Sequence, residues 1–202
     1  MAISNSIYWW RVITHLGSAS ILLPIFFLHF LGLFLVQRKV AYRWLFALGL
    51  AVLLTLMSKC LFWGWGLGIA ALDFTGISGH TLLATAIFPV LFRLYISSDS
   101  RFKCQLAACL GILFSVGVGW SRIILGAHSF SEVCLGWALG AAVSLFVLNA
   151  IEKPLSLNWA VRLSPLLFFL AFNSYASQIV PSHAWEVKLA LALSGRDHPF
   201  RR

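Results

Sequence analysis

The sequence predicts an all-α fold, a polytopic membrane helix bundle with about six transmembrane helices. Two observations carry this. The chain is 60% hydrophobic and only 10% charged, where ordinary globular domains hold about 25% charged residues. Its mean hydropathy is +0.90, and the apolar residues fall in runs near the roughly 20 residues that a helix needs to cross a bilayer core. With 202 residues, the chain is expected to form a single integral-membrane domain over 1–202, with 181–202 as a polar or interfacial tail.

The first span is expected at about 12–36 and is densest in ILLPIFFLHFLGLFLV. Pro24 and His29 interrupt it, which neighbouring helices can make tolerable. Its small residues, Gly17 to Ser20, precede the most apolar part, and no A-x-A-like site follows, so it reads as a retained helix and not a signal peptide. Gln37–Arg43 is a basic loop, and a second span runs from about Tyr42 to Ser58. Lys59 ends that span. The Trp- and Gly-rich piece after it, CLFWGWGLGIAAL, is too short to cross alone and reads as interfacial or re-entrant, with Trp63 and Trp65 at headgroup depth.

A third span is expected at about 80–97, a polar loop at Ser98–Lys103, and a fourth span at about 104–120. A fifth follows at about 132–150, a loop at Glu152–Asn158, and a sixth span at about 159–180. Part of the tail, HAWEVKLALAL, suits a helix lying on the membrane surface.

The net charge of +9 would point to nucleic acid in a soluble protein. Here the basic residues sit mainly in short loops, so they read as topology signals, with anionic lipid and not nucleic acid as the partner. Loops one, three and five carry Arg38, Lys39, Arg43, Arg101, Lys103 and Lys153 on one face. The positive-inside rule makes that face cytoplasmic, and the expected location is a bacterial inner (plasma) membrane with the site on the extracytoplasmic face. Cys60, Cys104, Cys109 and Cys134 show no metal spacing and read as small buried hydrophobes.

Two polar knots interrupt this apolar background at the mouths of spans, both on the face opposite the basic loops. One is Gly76–His80 (GISGH), the other Ser121–Glu132 (SRIILGAHSFSE). In the first, Ser78 can cap a helix, and Gly76 and Gly79 let backbone approach a ligand; a helix start offers free N–H groups to an anion. His80 would lie on the first turn. In the second, Arg122 offers a planar fork suited to phosphate oxygens. His128 and Glu132 are four apart and share a face if both are helical. A carboxylate on one ring nitrogen fixes the tautomer and leaves the other as a nucleophile. Ser129-x-x-Glu132 is also a capping box, which by itself accounts for Glu132. Asp73 reads as structural, and His15 and His29 as satisfied or interfacial histidines.

The two knots together resemble the second and third signature motifs of the type 2 phosphatidic-acid phosphatase superfamily. Ser121-Arg122, His128 and Glu132 match the third motif in spacing, with Glu132 where the family has Asp. Ser78-Gly79-His80 match the second, with Ile77 where it has Pro. Of the first motif, Lys followed after six residues by Arg-Pro, only Lys59 is present, since positions 66 and 67 are Gly and Leu. The resemblance spans roughly 59–150. It implies a membrane lipid-phosphate or lipid-pyrophosphate phosphatase. In that enzyme His128 attacks phosphorus, Glu132 orients His128, and His80 protonates the leaving oxygen. Lys59, Arg122 and the backbone at Ser78 and Gly79 would hold the phosphate. No metal and no other cofactor is implied.

Two other readings compete. Gly76-Ile77-Ser78-Gly79 fits the GxSG pattern of rhomboid-type intramembrane serine proteases, with Ser78 pairing with His128, though Arg122, His80 and Glu132 then have no task. A non-catalytic transporter or scaffold with a degenerate phosphatase fold is the other.

Overall fold

The computed structural model describes residues 2–96, 100–151 and 182–201. Among them seven α-helices are named here in chain order. They are α1 (Ala2–Leu16), α2 (Ala19–Val36), α3 (Arg38–Trp65), α4 (Gly79–Tyr95), α5 (Arg101–Ile124), α6 (Phe130–Leu148) and α7 (Ser182–Ser194). Four described segments are long and apolar enough to cross a membrane: Ile7–Val36, Arg38–Trp65, Arg101–Ile124 and Phe130–Leu148. α4 adds a shorter apolar helix. The all-helical membrane bundle expected from composition is therefore what forms, and the chain is an integral membrane protein. The expected loop at Glu152–Asn158 and the sixth span at about 159–180 lie outside the described residues.

Several boundaries differ from the expected ones. The first span is two helices, α1 and α2, separated at Gly17–Ser18. A Cβ at Gly17 would stand 2.5 Å from a Val118 methyl and 3.2 Å from the His80 carbonyl, so glycine lets the break press against α4 and α5. The second span does not stop at Lys59. α3 continues to Trp65 and ends at Gly66, whose φ of 72° is the left-handed conformation that closes helices. Only the remainder of the presumed re-entrant piece is irregular, a short 3₁₀ turn at Ala70–Leu72 and a bridge between Ile69 and Phe74. The loop assigned to Ser98–Lys103 does not extend to Lys103, because α5 already begins at Arg101.

α4 is the axis of the bundle. Twelve of its seventeen residues are buried, and it packs against α2, α3, α5 and α6. Small residues on its neighbours allow this. A Cβ at Gly111 of α5 would lie 2.5 Å from Pro89 Cα, and one at Gly140 of α6 would lie 2.7 Å from the Leu82 carbonyl. Gly136 and Gly140 are one helical turn apart on α6, the small-xxx-small spacing that brings membrane helices close. Below these contacts lies an apolar core that includes Leu22, Phe26, Leu33, Trp44, Leu82, Ile87 and Leu94.

Buried polar groups in this core are satisfied locally. Trp44 Nε1 donates to the Ala86 carbonyl at 3.3 Å, and Ser115 Oγ donates to the Ala84 carbonyl at 2.9 Å. His29 is the satisfied histidine expected, bonding the Ile25 carbonyl at 2.8 Å and the Tyr95 hydroxyl at 3.0 Å. The four cysteines are free. Cys60 is buried, but Cys109 is exposed on α5, so the expectation of buried cysteines does not hold for it.

Candidate active site

Both polar knots and Lys59 come to the same end of the bundle and line one cavity of about 660 Å³. Its wall includes Lys59 from α3, Thr75 and Gly76 from the α3–α4 connection, and Gly79 and His80 from the start of α4. Arg122 from the last turn of α5, and then His128 and Glu132, complete the opposite side. Ala19, Leu23, Val52, Leu56 and Leu83 make one flank apolar.

The stretch Ser121–Glu132 does not connect two helices as a single loop. Ser121–Ile124 closes α5, the chain turns over 125–129 with Gly126 at φ 64°, and α6 begins at Phe130. His128 is therefore not helical, and it does not share a helix face with Glu132. The pair forms for a different reason. Ser129 is the N-cap of α6 and Glu132 its third residue, in a complete capping box. That geometry turns the carboxylate back toward the helix start. Glu132 Oε2 then accepts from the Ser129 amide at 3.2 Å and from His128 Nδ1 at 2.6 Å.

The other oxygen, Oε1, accepts from the Thr75 amide at 2.7 Å and the Thr75 hydroxyl at 2.6 Å. Glu132 is fully buried, so each of these bonds supports a carboxylate that water cannot solvate. Capping and histidine orientation are two roles of one group. With Nδ1 engaged, Nε2 of His128 is the uncommitted ring nitrogen among the described residues. Burial is the main influence on His128 and pushes its pKa below the usual histidine value. The hydrogen bond and charge of Glu132 oppose that, and the Lys59 and Arg122 charges reinforce it. The imidazole is therefore neutral near pH 7 and carries a lone pair.

Arg122 Nη1 donates to Thr14 Oγ1 on α1 at 3.0 Å, while its buried Nε has no hydrogen-bond partner among the described residues. A buried guanidinium donor left unmatched is costly, and here it belongs to a side chain that lines a cavity. Lys59 Nζ donates to both oxygens of Glu186 on α7, each at 2.9 Å. Gly76 lets the first knot pass over Lys59: a Cβ there would stand 2.7 Å from Lys59 Cγ. Gly79 is open toward Lys59, since a Cβ there would lie 3.9 Å from Nζ.

Ser78 is the expected residue that the structure removes from the cavity wall. It is the N-cap of α4, yet its side chain makes no capping bond. Its hydroxyl accepts from Thr81 Oγ1 at 2.9 Å, its amide donates to the Glu132 carbonyl at 3.2 Å, and it is fully buried. Ser78 thus links α4 to α6, with its amide committed to the Glu132 carbonyl and its hydroxyl buried against Thr81. The burial of Ser78 also counts against the serine-protease geometry, because its hydroxyl is shielded and already accepts from Thr81 Oγ1. The first-turn amides at Gly79 and His80 remain without a side-chain cap.

Sequence reasoning missed Thr75, Thr14, Glu186 and the tail residues His183 and Arg201, which also line the cavity or hold its cations. Glu186 had a signal. Lys59 lies inside an apolar run and needs a counter-ion, and the chain has only six acidic residues. Among the described residues no group of three or more His, Cys, Asp or Glu side chains is placed to hold a metal ion.

The structure thus joins a membrane helix bundle to one cavity lined by a histidine–carboxylate pair, a second histidine and two cations. A family model described as PAP2 superfamily matches residues 62–155. A protein described as an uncharacterized 22.5 kDa protein in the cps region of Klebsiella pneumoniae is 32% identical over 200 residues, covering 96% of this chain and 95% of that protein. No solved structure matches the chain. The chain belongs to the PAP2 superfamily, and that membership supports a phosphatase-type, hydrolytic function.

Proposed function

We propose that the protein is a lipid-phosphate or lipid-pyrophosphate phosphatase that works through a phosphohistidine on His128 and needs no metal. The single observation behind this reading is the His128–Glu132 bond of 2.6 Å at the wall of a cavity that also holds His80, Arg122 and Lys59. In the first step the Nε2 lone pair of His128 attacks phosphorus while the bond from phosphorus to the lipid oxygen breaks. His80, protonated once the phosphate dianion is bound beside it, gives that proton to the departing oxygen. Glu132 stabilises the imidazolium formed on His128 and keeps its other nitrogen protonated.

In the second step His80, now neutral, takes a proton from water, and the resulting hydroxide attacks the phosphohistidine. Inorganic phosphate leaves and His128 is restored. The negative charge that develops on the equatorial oxygens meets Arg122, whose Nε has a donor to give, then Lys59 and the amides of the α4 first turn. Uncatalysed hydrolysis of phosphate monoesters is so slow that enzymatic accelerations reach ~10²¹, so one nucleophile without those cations would be insufficient. The apolar flank along Leu23, Val52, Leu56 and Leu83 is the side on which an acyl or isoprenyl chain fits.

The test is phosphate release from a panel of lipid phosphates, with and without EDTA. His128→Ala should abolish release and the acid-labile phosphoenzyme, and vanadate should inhibit the unaltered protein. Turnover retained in that variant, or lost to EDTA alone, would overturn the mechanism.

A further inference from the structure

The cavity holds a third cation with no task in the two-step mechanism. Arg201, from the tail beyond α7, lines the same cavity as His128, Arg122 and Lys59. Among the described residues neither Arg122 nor Arg201 pairs with a carboxylate, whereas Lys59 is held by both oxygens of Glu186 at 2.9 Å. The Lys59 charge is thus offset within the protein. A phosphate monoester carries a charge of about −1.5 to −2 at pH 7, so Arg122 alone leaves roughly half of it unmatched. Part of the wall is apolar, and an unmatched charge beside apolar groups is costly.

Arg201 reaches the cavity on a built mount. The Phe200 amide donates to the Trp63 carbonyl at 3.0 Å, one helical turn beyond Lys59 on α3. The Phe200 ring sits on Gly66, where a Cβ would stand 3.0 Å from it. Arg196 stacks on the same ring, with its guanidinium carbon 4.2 Å from the centroid. Position 66, where the first signature motif carries arginine, is glycine here. A side chain at 66 would run into the Phe200 ring, and the residue next to Phe200 brings an arginine to the cavity.

We propose that Arg201 is a phosphate-binding residue: a second guanidinium that joins Arg122 on the anion and takes the place of the arginine absent from position 66. The ligand is the phosphate group of a monoester or pyrophosphate, and the role rests on the phosphatase reading of the cavity. A guanidinium suits it, because its planar fork of donors matches phosphate oxygens and is weakly hydrated. The lost motif cation is thus replaced from a segment far away in sequence, delivered by the docking of the tail on α3.

The experiment titrates inorganic phosphate against the full chain by ³¹P NMR, in a neutral detergent and again in vesicles containing an anionic phospholipid, alongside phosphate release from a lipid phosphate. In detergent, Arg201→Gln should weaken phosphate binding about five- to tenfold, and Arg201→Lys should weaken it less. Phe200→Ala, which unseats the mount, should weaken it as well. Millimolar guanidinium ion should restore part of the affinity to Arg201→Ala and add none to the unaltered protein, a rescue that a purely structural role would not show. Unchanged affinity in Arg201→Gln overturns the proposal, and turnover retained in that variant leaves the phosphatase reading standing. A loss that guanidinium does not rescue overturns it too, as does a loss seen only in the anionic vesicles, which would make Arg201 a membrane-surface anchor. Rescued binding in a chain that releases no phosphate from any lipid supports the anion site and overturns the phosphatase reading. Failure of the unaltered protein to bind phosphate overturns both.

Discussion

His128 lies just outside α6, and Glu132 reaches it only because the helix cap turns the carboxylate backward. The two residues should therefore fail in different ways. Glu132→Gln retains a group of the same size but removes the charge that balances the imidazolium. By analogy with the loss of an orienting carboxylate in other histidine-based hydrolases, kcat should fall by about 10³ to 10⁴, with phosphoenzyme formation as the measurement. The pH profile gives a second check. Neutral His128 is the reactive form, and its pKa is depressed, so activity should be retained below the usual histidine value of about 6.5 and lost as pH falls through the depressed one. Glu132 raises the His128 pKa, so the residual activity of Glu132→Gln should show its acid limb at lower pH. At this scale the sequence was informative about Arg122, His128 and Glu132, whose spacing is local, and about His80 through its place in the Ser78-Gly79-His80 run. It was silent about Thr75, Thr14 and Glu186. Those residues meet their partners 57, 108 and 127 positions away, and only folding sets such distances. Ser78 misled because a serine before a helix usually caps it, and here Thr81 engages its hydroxyl instead.

Among the helices, α4 and α6 matter most, since they carry His80 and Glu132 on facing ends. Their approach depends on Gly136 and Gly140, where added carbons would meet Thr81 Cβ at 2.9 Å and the Leu82 carbonyl at 2.7 Å. Gly140→Leu should cost about 1–3 kcal/mol by overpacking and lower the melting temperature in detergent. It should also reduce turnover, because separating the helices breaks the bond from the Ser78 amide to the Glu132 carbonyl. A normal melting curve together with full activity would show that the contact is not needed. Hydropathy located these helices well but misplaced their ends. It treated Lys59 as a terminus because a charge is costly in hydrocarbon. A nearby carboxylate removes much of that cost, and α3 runs on until Gly66 adopts a backbone that ends it. It also ran α1 and α2 together, since a break at Gly17–Ser18 alters hydropathy very little.

For the whole molecule, the remaining question is which side of the membrane the cavity faces. The ends of α3 and α5 and the starts of α4 and α6 share the cavity end, while Arg38 and Arg101 begin their helices at the other. From the positive-inside rule we propose that the cavity faces away from the cytoplasm. In a background without the four native cysteines, Leu72→Cys on the cavity side should react with an impermeant maleimide in intact cells. Phe102→Cys should react only after lysis. Both positions are exposed, at 56% and 72%, so the reverse pattern would invert the topology. Composition was enough to identify a membrane bundle. It could not foresee that the polar tail would dock on α3 and place Glu186 and Arg201 at the cavity, because tail and helix share no local pattern.

The bond from Arg122 to Thr14 ties the opening helix of the chain to the substrate pocket. The helix Ala2–Leu16 is thus a brace for the guanidinium. Recombinant versions clipped or fused near that helix would keep both histidines and their carboxylate intact, yet their grip on the anion would slacken, and a poor preparation would pass for a poor enzyme.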